Sequence, residues 1–146
     1  MFRGNALAKV DDKGRLKIPQ VFRRQVEERY GRKLYVTSLS GENIWIYPFD
    51  VWTAKEEVLA RHSGIHSAVN KFLTRTSYFG QVAEIDVQGR VVVNPLLRES
   101  ARIAGEVAVL GYLTYLEVWN NELFREKVLV EPLTLEDRRA LQELGI

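Results

Sequence analysis

The sequence predicts an α+β fold in which two copies of one β-hairpin and helix unit pair with each other as a pseudo-dimer with flanking helices. The first observation is a repeated Asp-x-x-Gly-Arg motif, which begins at Asp11 and again at Asp86, an offset of 75 residues. The second is that branched apolar residues, a proline and a helical pattern follow both motifs. The third is size: a unit of about 60 residues buries too little surface to be stable alone.

The first copy is expected to begin with a hairpin and a helix. Apolar and polar residues alternate at 6–10 and 15–19, which predicts two short strands. Gly14 lies between them and supplies the positive φ that a tight connection requires. Pro19 favours the start of a helix, because its missing N–H costs nothing in the first turn, and Gly31 ends that helix.

Later segments complete this unit and connect it to the second. β-Branched and aromatic residues at 33–39 and 43–48 predict two more strands, and Asp50 is placed to cap a trailing helix. A helical apolar stripe predicts a helical connector, and Thr134 with Asp137 has the spacing of a capping box. The predicted organisation is a first repeat at 1–61, a connector at 62–79, a second repeat at 80–128 and a C-terminal helical tail at 129–146.

Composition excludes several classes of protein. Hydrophobic residues make up 46% of the 146 residues and charged residues 27%, which is typical of a globular chain. The absence of cysteine excludes disulfides, zinc–thiolate sites and cysteine nucleophiles. No apolar run approaches the ~18 residues of a membrane span, and the first residues lack the apolar region of a signal peptide. We therefore expect a soluble, cytoplasmic protein that does not contact membranes.

Positive charge is concentrated near the beginning of the chain. The net charge is only +2, but residues 1–33 hold ten of the 21 lysines and arginines and four of the 19 acids, a local net charge of +6. The rest of the chain carries −4. Such asymmetry points to a polyanionic partner, and double-stranded DNA is the partner we expect; the alternative is a solvated surface on which the charges cluster.

Each repeated motif places an acid four residues before an arginine. The structural interpretation is that Asp11 pairs with Arg15, and Asp86 with Arg90, to brace each hairpin. The functional interpretation adds that a braced arginine can contact guanine O6 and N7, while nearby lysines hold phosphates. The two interpretations are compatible, because the brace would orient the arginine that reads the base.

Lysines surround only the first of the two turns. Three lysines flank the first turn, whereas the equivalent positions of the second copy hold a glutamate, a glutamine and a valine. We therefore expect the first copy to dominate DNA binding. The residues expected to contact DNA are Arg3, Lys9, Lys13, Arg15, Lys17 and Arg90. The residues expected to shape the turns are Asp11, Gly14, Asp86 and Gly89.

The quoted motifs resemble those of the MraZ family. The resemblance rests on MFRG, DDKGRLKIP, NIWIYPFDVW and a second DVQGR followed by EVW, and it covers residues 1 to about 128. It implies two AbrB-like swapped-hairpin units forming a cradle-loop barrel. It also implies a nucleoid-associated regulator of the division and cell-wall gene cluster, which reads G-rich direct repeats in its own promoter as a ring of several protomers.

Two features depart from what the resemblance implies. The proline after the second hairpin comes one residue late, as Asn94-Pro95, which bears on where the second helix starts. The tail from Leu129 to Ile146 is longer than the family pattern leads us to expect. A contact with a neighbouring subunit is the hypothesis for this tail.

An enzyme is the first alternative. His62 and His66 have an i,i+4 spacing that suits two metal ligands, but Gly64 weakens the helix between them and no third ligand is evident. An arginine close to Asp11 or Asp86 would lower the pKa of the carboxyl, which is the wrong direction for a general acid. We therefore expect no catalytic site, metal, cofactor or small-molecule ligand.

The second alternative is an antitoxin-like protein-interaction module of the same hairpin superfamily. Trp45, Trp52 and Trp119 would then supply an apolar contact surface. Packing within the core or between subunits is the favoured interpretation of these aromatic residues. The basic first hairpin separates the two functions, because a module that only binds proteins has no need of it.

Overall fold

Eight strands and six helices build the protein in the computed structural model, which describes residues 1–146. The strands are β1 Asn5–Val10, β2 Arg15–Lys17, β3 Lys33–Thr37, β4 Ile44–Pro48, β5 Gln81–Glu84, β6 Arg90–Val92, β7 Gly105–Tyr112 and β8 Tyr115–Asn120. The helices are α1 Gln20–Tyr30, α2 Phe49–His62, α3 Ser67–Tyr78, α4 Pro95–Ser100, α5 Asn121–Leu123 with a π-helical turn at Phe124–Val128, and α6 Leu135–Glu143. The fold is therefore α+β, as predicted.

The strand order shows that neither repeat has a complete sheet of its own. All strands belong to one antiparallel sheet in the order β5-β3-β4-β8-β7-β1-β2-β6. Strand β1 of the first repeat pairs with β7 of the second, and β5 of the second pairs with β3 of the first. The outermost strands β5 and β6 also lie beside each other, so the sheet is nearly closed into a barrel.

The core inside this sheet is built from equivalent residues of the two repeats. Leu16 and Val91 face each other in the β2–β6 pair, and both are almost completely buried. Phe22 of α1 and Leu97 of α4 occupy equivalent positions and are buried as well. Burying such side chains stabilises the fold by about 1.5–3 kcal/mol each. Because both repeats contribute to the same core, neither can be removed without opening it.

The two helices that follow the hairpins begin differently. Helix α1 follows Pro19 without a side-chain cap, and it ends at Gly31, whose φ is 88°. Helix α4 begins at Pro95, and the Asn94 side chain caps it by accepting a hydrogen bond from the backbone N–H of Leu97 at 2.8 Å. The late proline of the second repeat therefore gives that helix an asparagine cap.

Helix α2 begins earlier than the sequence predicts. It starts at Phe49, and Pro48 rather than Asp50 is the residue that precedes it. The expectation that Asp50 caps the helix is therefore wrong, because its side chain lies within the first turn and makes no capping hydrogen bond. A carboxylate in the first turn is nevertheless favourable toward the helix dipole.

Aromatic residues hold the sheet and the connecting helices together. Trp52 of α2 is buried and stacks on Tyr35 at 4.7 Å between ring centroids. Tyr47 and Tyr115 stack at 4.5 Å, and burial raises the pKa of Tyr47 to about 12. Trp45 lies against Tyr115 at 5.6 Å. These contacts assign the tryptophans of the first repeat to packing within the chain.

The tail forms the predicted helix and leaves many apolar side chains exposed. Thr134 and Asp137 form the capping box: the backbone N–H of each donates to the side chain of the other at 3.0 Å. The large apolar residues exposed in this tail are Leu129, Val130, Leu133, Leu135, Leu144 and Ile146. None of the helices combines the length and the apolar composition that crossing a membrane requires.

Candidate nucleic-acid interface

The first turn is braced through both the backbone and a side chain. The Asp11 carboxylate accepts hydrogen bonds from the backbone N–H groups of Lys13 at 3.0 Å and Arg15 at 2.9 Å. Its second oxygen accepts one from Nε of Arg15 at 2.6 Å. The backbone N–H of Arg15 is the largest of the causes that hold the pKa of Asp11 below its ordinary 3.8, and together these causes outweigh desolvation. The predicted Asp11–Arg15 pair is present.

The second turn has the same backbone but lacks the side-chain pair. The Asp86 carboxylate accepts hydrogen bonds from the backbone N–H groups of Gln88 at 2.8 Å and Arg90 at 2.9 Å. These hydrogen bonds, chiefly that from Arg90, hold the pKa of Asp86 below its ordinary value, and the charges of Arg90 and Arg15 contribute. The prediction of an ion pair between Asp86 and Arg90 is wrong, because the Asp86 carboxylate accepts hydrogen bonds only from backbone N–H groups.

The turns of the two repeats interlock. The backbone N–H of Ile18 donates to the carbonyl of Gly89 at 2.9 Å, and that of Val93 donates to the carbonyl of Gly14 at 2.9 Å. These two hydrogen bonds are equivalent under exchange of the repeats. Each turn therefore lies beside the start of the other repeat's helix.

Glycine is required in both turns for two reasons. Gly14 has a φ of 79° and Gly89 one of 81°, which side-chain-bearing residues rarely adopt. A β-carbon at position 14 would also lie 2.5 Å from Cζ of Arg98, and one at position 89 would lie 2.8 Å from Nη1 of Arg23. An arginine of the opposite repeat therefore occupies the space where a side chain would be.

Three of the predicted DNA-contacting residues lie on one face of the β2–β6 ribbon. Arg15 is opposite Val92 and Lys17 is opposite Arg90, and directly opposed residues of antiparallel strands point to the same face. Leu16 points to the other face and is buried. We call Arg15, Lys17 and Arg90 the cationic strip. It joins both repeats on one surface.

The other predicted residues lie at increasing distance from this strip. Lys13 is exposed within the first turn. Lys9 is exposed on β1, where Glu106 of β7 is its register partner, so an acid faces it. Arg3 lies at the far end of β1, next to the bridge between Phe2 and Leu113, with roughly 20 Å of strand between it and the turn. The role of Arg3 in DNA binding stays a prediction.

Sequence reasoning missed two arginines at the turns. Arg23 of α1 packs over Gly89, and Arg98 of α4 packs over Gly14. Their signal in the sequence is that they occupy equivalent positions at the 75-residue offset. Nothing in that alignment shows that each arginine crosses to the turn of the opposite repeat.

The two histidines do not assemble a metal site. The rings of His62 and His66 lie 5.5 Å apart between centroids, at the boundary of α2 and α3. No group of three or more histidine, cysteine or acidic side chains in the structure is placed to hold a metal ion.

Two hairpin and helix units that share one nearly closed sheet define the class of double AbrB-like α+β proteins. A family model described as "MraZ protein, putative antitoxin-like" matches residues 1–75 and 81–143. The chain belongs to the MraZ family.

Curated relatives match most or all of the chain. The protein named "Transcriptional regulator MraZ" from Acidobacterium capsulatum is 45% identical over 146 residues, which is all of both chains. Its namesake from Koribacter versatilis is 44% identical over 147 residues, again all of both chains. The protein of that name from Syntrophobacter fumaroxidans is 34% identical over 119 residues, covering 82% of this chain and 79% of its own.

These matches correct the expectation that the tail exceeds the family pattern. The resemblance predicted from the sequence ends near residue 128, but the family model extends to residue 143. Two full-length relatives also align across the tail. The tail is therefore a segment that this chain shares with members of its family.

Proposed function

We propose that the protein is a sequence-specific transcriptional regulator that binds double-stranded DNA through its first hairpin. The observation that carries this proposal is the cationic strip beside the braced first turn, because it combines a directed arginine with neighbouring charges. The curated relatives are named as transcriptional regulators rather than enzymes, which supports the same function. Such a regulator would act in the cytoplasm, associated with the nucleoid.

The first hairpin, formed by β1 and β2, suits the major groove. A two-stranded β-ribbon fits a groove of about 12 Å, and an arginine can pair with O6 and N7 of guanine there. Asp11 fixes Nε of Arg15, whose terminal nitrogens donate no hydrogen bond within the protein, and 37% of the Arg15 side chain is exposed. Lys13 and Lys17 would hold the phosphates that position the ribbon.

The proposed target is a set of G-rich direct repeats in the promoter of the protein's own gene, within the division and cell-wall gene cluster. Family membership supports this target, and so does the preference of arginine for guanine. Footprinting on that promoter tests the proposal: protection should fall on the G-rich repeats. Uniform protection, or no binding at low salt, would contradict it.

We also propose that several protomers assemble into a ring. A single narrow hairpin covers few base pairs and gives modest affinity, whereas linked protomers on regularly spaced repeats gain effective concentration. The exposed apolar residues of the tail support a contact with a neighbouring subunit. Deleting residues 132–146 should lower the mass measured by light scattering, and an unchanged oligomer would exclude this role for the tail.

An antitoxin-like interaction module is the second candidate. The description of the matching family model favours it, and the exposed tail offers an apolar surface for a protein partner. The two candidates differ in their dependence on salt. Affinity of a DNA-binding regulator for promoter DNA falls steeply as salt increases, whereas an interaction module would show no such binding.

A further inference from the structure

We propose that Arg98, from the second repeat, contacts a DNA phosphate beside the first hairpin. This inference rests on the proposed function, because it assumes that the first hairpin enters DNA. It adds a residue of helix α4 to an interface otherwise built from the cationic strip and the first turn.

Arg98 crosses from one repeat to the turn of the other. Its Cδ, Nε and Cζ atoms fill the space that a side chain at position 14 would occupy. A β-carbon at that position would lie 2.5 Å from Cζ of Arg98. Gly14 is itself buried by this contact. The guanidinium of Arg98 therefore lies against Gly14, the residue between Lys13 and Arg15.

The equivalent arginine of the first repeat, Arg23, is held by an ion pair and a hydrogen bond within the protein. Nε of Arg23 donates to the Glu27 carboxylate at 3.0 Å, and Nη2 donates to the backbone carbonyl of Val87 at 3.2 Å. Arg23 therefore ties helix α1 to the second turn. Its interactions leave it little capacity to bind another anion.

Arg98 has no such partners. At the 75-residue offset Glu27 aligns with Arg102, which lies beyond the end of α4, so the second repeat has no acid at this position to neutralise Arg98. Nε of Arg98 is buried without a hydrogen-bond partner, and Arg98 takes part in no ion pair. Burying an unpaired donor costs stability, and sites that retain such a cost are often functional.

The location of Arg98 favours a phosphate over a base. Arg98 reaches the turn from the helix beside the ribbon, whereas Arg15 and Lys17 point outward from the ribbon itself. Contacts on the flank of a groove-binding element meet the sugar–phosphate backbone. A guanidinium binds phosphate through paired, charge-assisted hydrogen bonds, which its free terminal nitrogens can donate.

The test compares Arg98→Gln with Arg23→Gln in the full chain. Binding to a labelled promoter duplex and to a scrambled duplex is measured by fluorescence anisotropy between 50 and 200 mM salt, a range over which phosphate contacts change affinity strongly. Arg98→Gln should weaken binding to both duplexes about tenfold and reduce the salt slope by about one. Its melting temperature should stay level or rise, because an unpaired buried donor is removed.

The matched variant should behave in the opposite way. Arg23→Gln loses an ion pair and a hydrogen bond, so its melting temperature should fall while its salt slope stays unchanged. Arg98→Lys keeps the charge and should retain the wild-type dependence of affinity on salt. This variant can still be measured if Arg98→Gln folds poorly. An unchanged slope in Arg98→Gln would overturn the inference.

This design separates the inference from the proposed function. If the wild-type protein binds the promoter and Arg15→Ala abolishes that binding, while Arg98→Gln leaves affinity and slope unchanged, only the role of Arg98 fails. If the wild-type protein does not bind the promoter at low salt, the proposed function fails, and the inference fails with it.

Discussion

The first and second turns share a backbone and differ in the charges around it. In both, an aspartate accepts hydrogen bonds from two backbone N–H groups, and a glycine has a φ near 80°. Only in the first does the aspartate also hold the arginine side chain, at 2.6 Å between Asp11 and Nε of Arg15. Only the first turn is flanked by lysines.

The difference separates what the fold requires from what the interface requires. The backbone pattern recurs because both turns must interlock to close one sheet, through the paired hydrogen bonds of Gly14 and Gly89. The side-chain pair and the lysines do not recur, so closing the sheet does not need them. We infer that these unshared features serve the binding of DNA.

The largest expected effect comes from removing the oriented arginine. Arg15→Ala should lose about 1–3 kcal/mol of base discrimination per protomer, and the loss should compound across an assembly on several repeats. Arg90→Ala should lose less, because no carboxylate orients its side chain. Gel-shift titration on promoter DNA measures both variants, and equal losses would contradict a dominant first turn.

The next effect concerns stability and should be similar in the two turns. Gly14→Ala and Gly89→Ala each force an L-residue into a left-handed conformation, at about 1–2 kcal/mol, and each displaces an arginine of the opposite repeat. Denaturant unfolding of both variants measures the cost. A large loss in only one turn would show that the two turns are not structurally equivalent.

A smaller effect should follow from neutralising the braces. Asp11→Asn weakens the contact with the Arg15 side chain, so specific affinity should fall severalfold while binding to scrambled DNA changes little. Asp86→Asn breaks no hydrogen bond to a side chain and removes a negative charge near Arg15 and Arg90, so DNA affinity should stay level or rise. Fluorescence anisotropy titrations with promoter and scrambled duplexes test this. Equal changes of affinity in the two variants would contradict the role of the Asp11–Arg15 contact in orienting the arginine.

The smallest effect is on pH dependence. Asp11 and Asp86 have folded-state pKa values below the ordinary 3.8. Their contribution to stability is therefore complete at pH above that value and is lost as pH falls through the lowered pKa. The melting temperatures of the wild type and of the Asp11→Asn/Asp86→Asn variant should differ less at acid pH than at pH 7. The same difference in melting temperature at both pH values would contradict the lowered pKa values of the two aspartates.

The repeat, the turns and most helices are predictable from the sequence because each depends on local signals. The Asp-x-x-Gly-Arg spacing locates both turns, and the Thr134–Asp137 capping box locates the tail helix. The helix start at Phe49 was predicted two residues late, because Asp50 resembles a cap but Pro48 precedes the helix.

The interface is less predictable because it depends on contacts between the repeats. No local pattern distinguishes Asp86, which bonds only to the backbone, from Asp11, which also pairs with an arginine. The arginines over the turns come from distant parts of the chain: Arg98 is 84 residues from Gly14, and Arg23 is 66 residues from Gly89. Only the strand pairing creates these contacts, because it makes β2 and β6 neighbours. The sequence pattern predicts Arg15, Lys17 and Arg90 as DNA-contacting residues, but it does not show that the three lie on one face of the β2–β6 pair.

The most direct test gives the first turn the residues of the second. In Lys13→Gln/Lys17→Val, both lysines are replaced by their counterparts at positions 88 and 92, while Arg15 and its brace are kept. If the first turn is the DNA-binding surface, promoter affinity should fall more than tenfold and the salt slope should decrease by about two. The same affinity and salt slope as the wild type, in a folded variant, would contradict that claim.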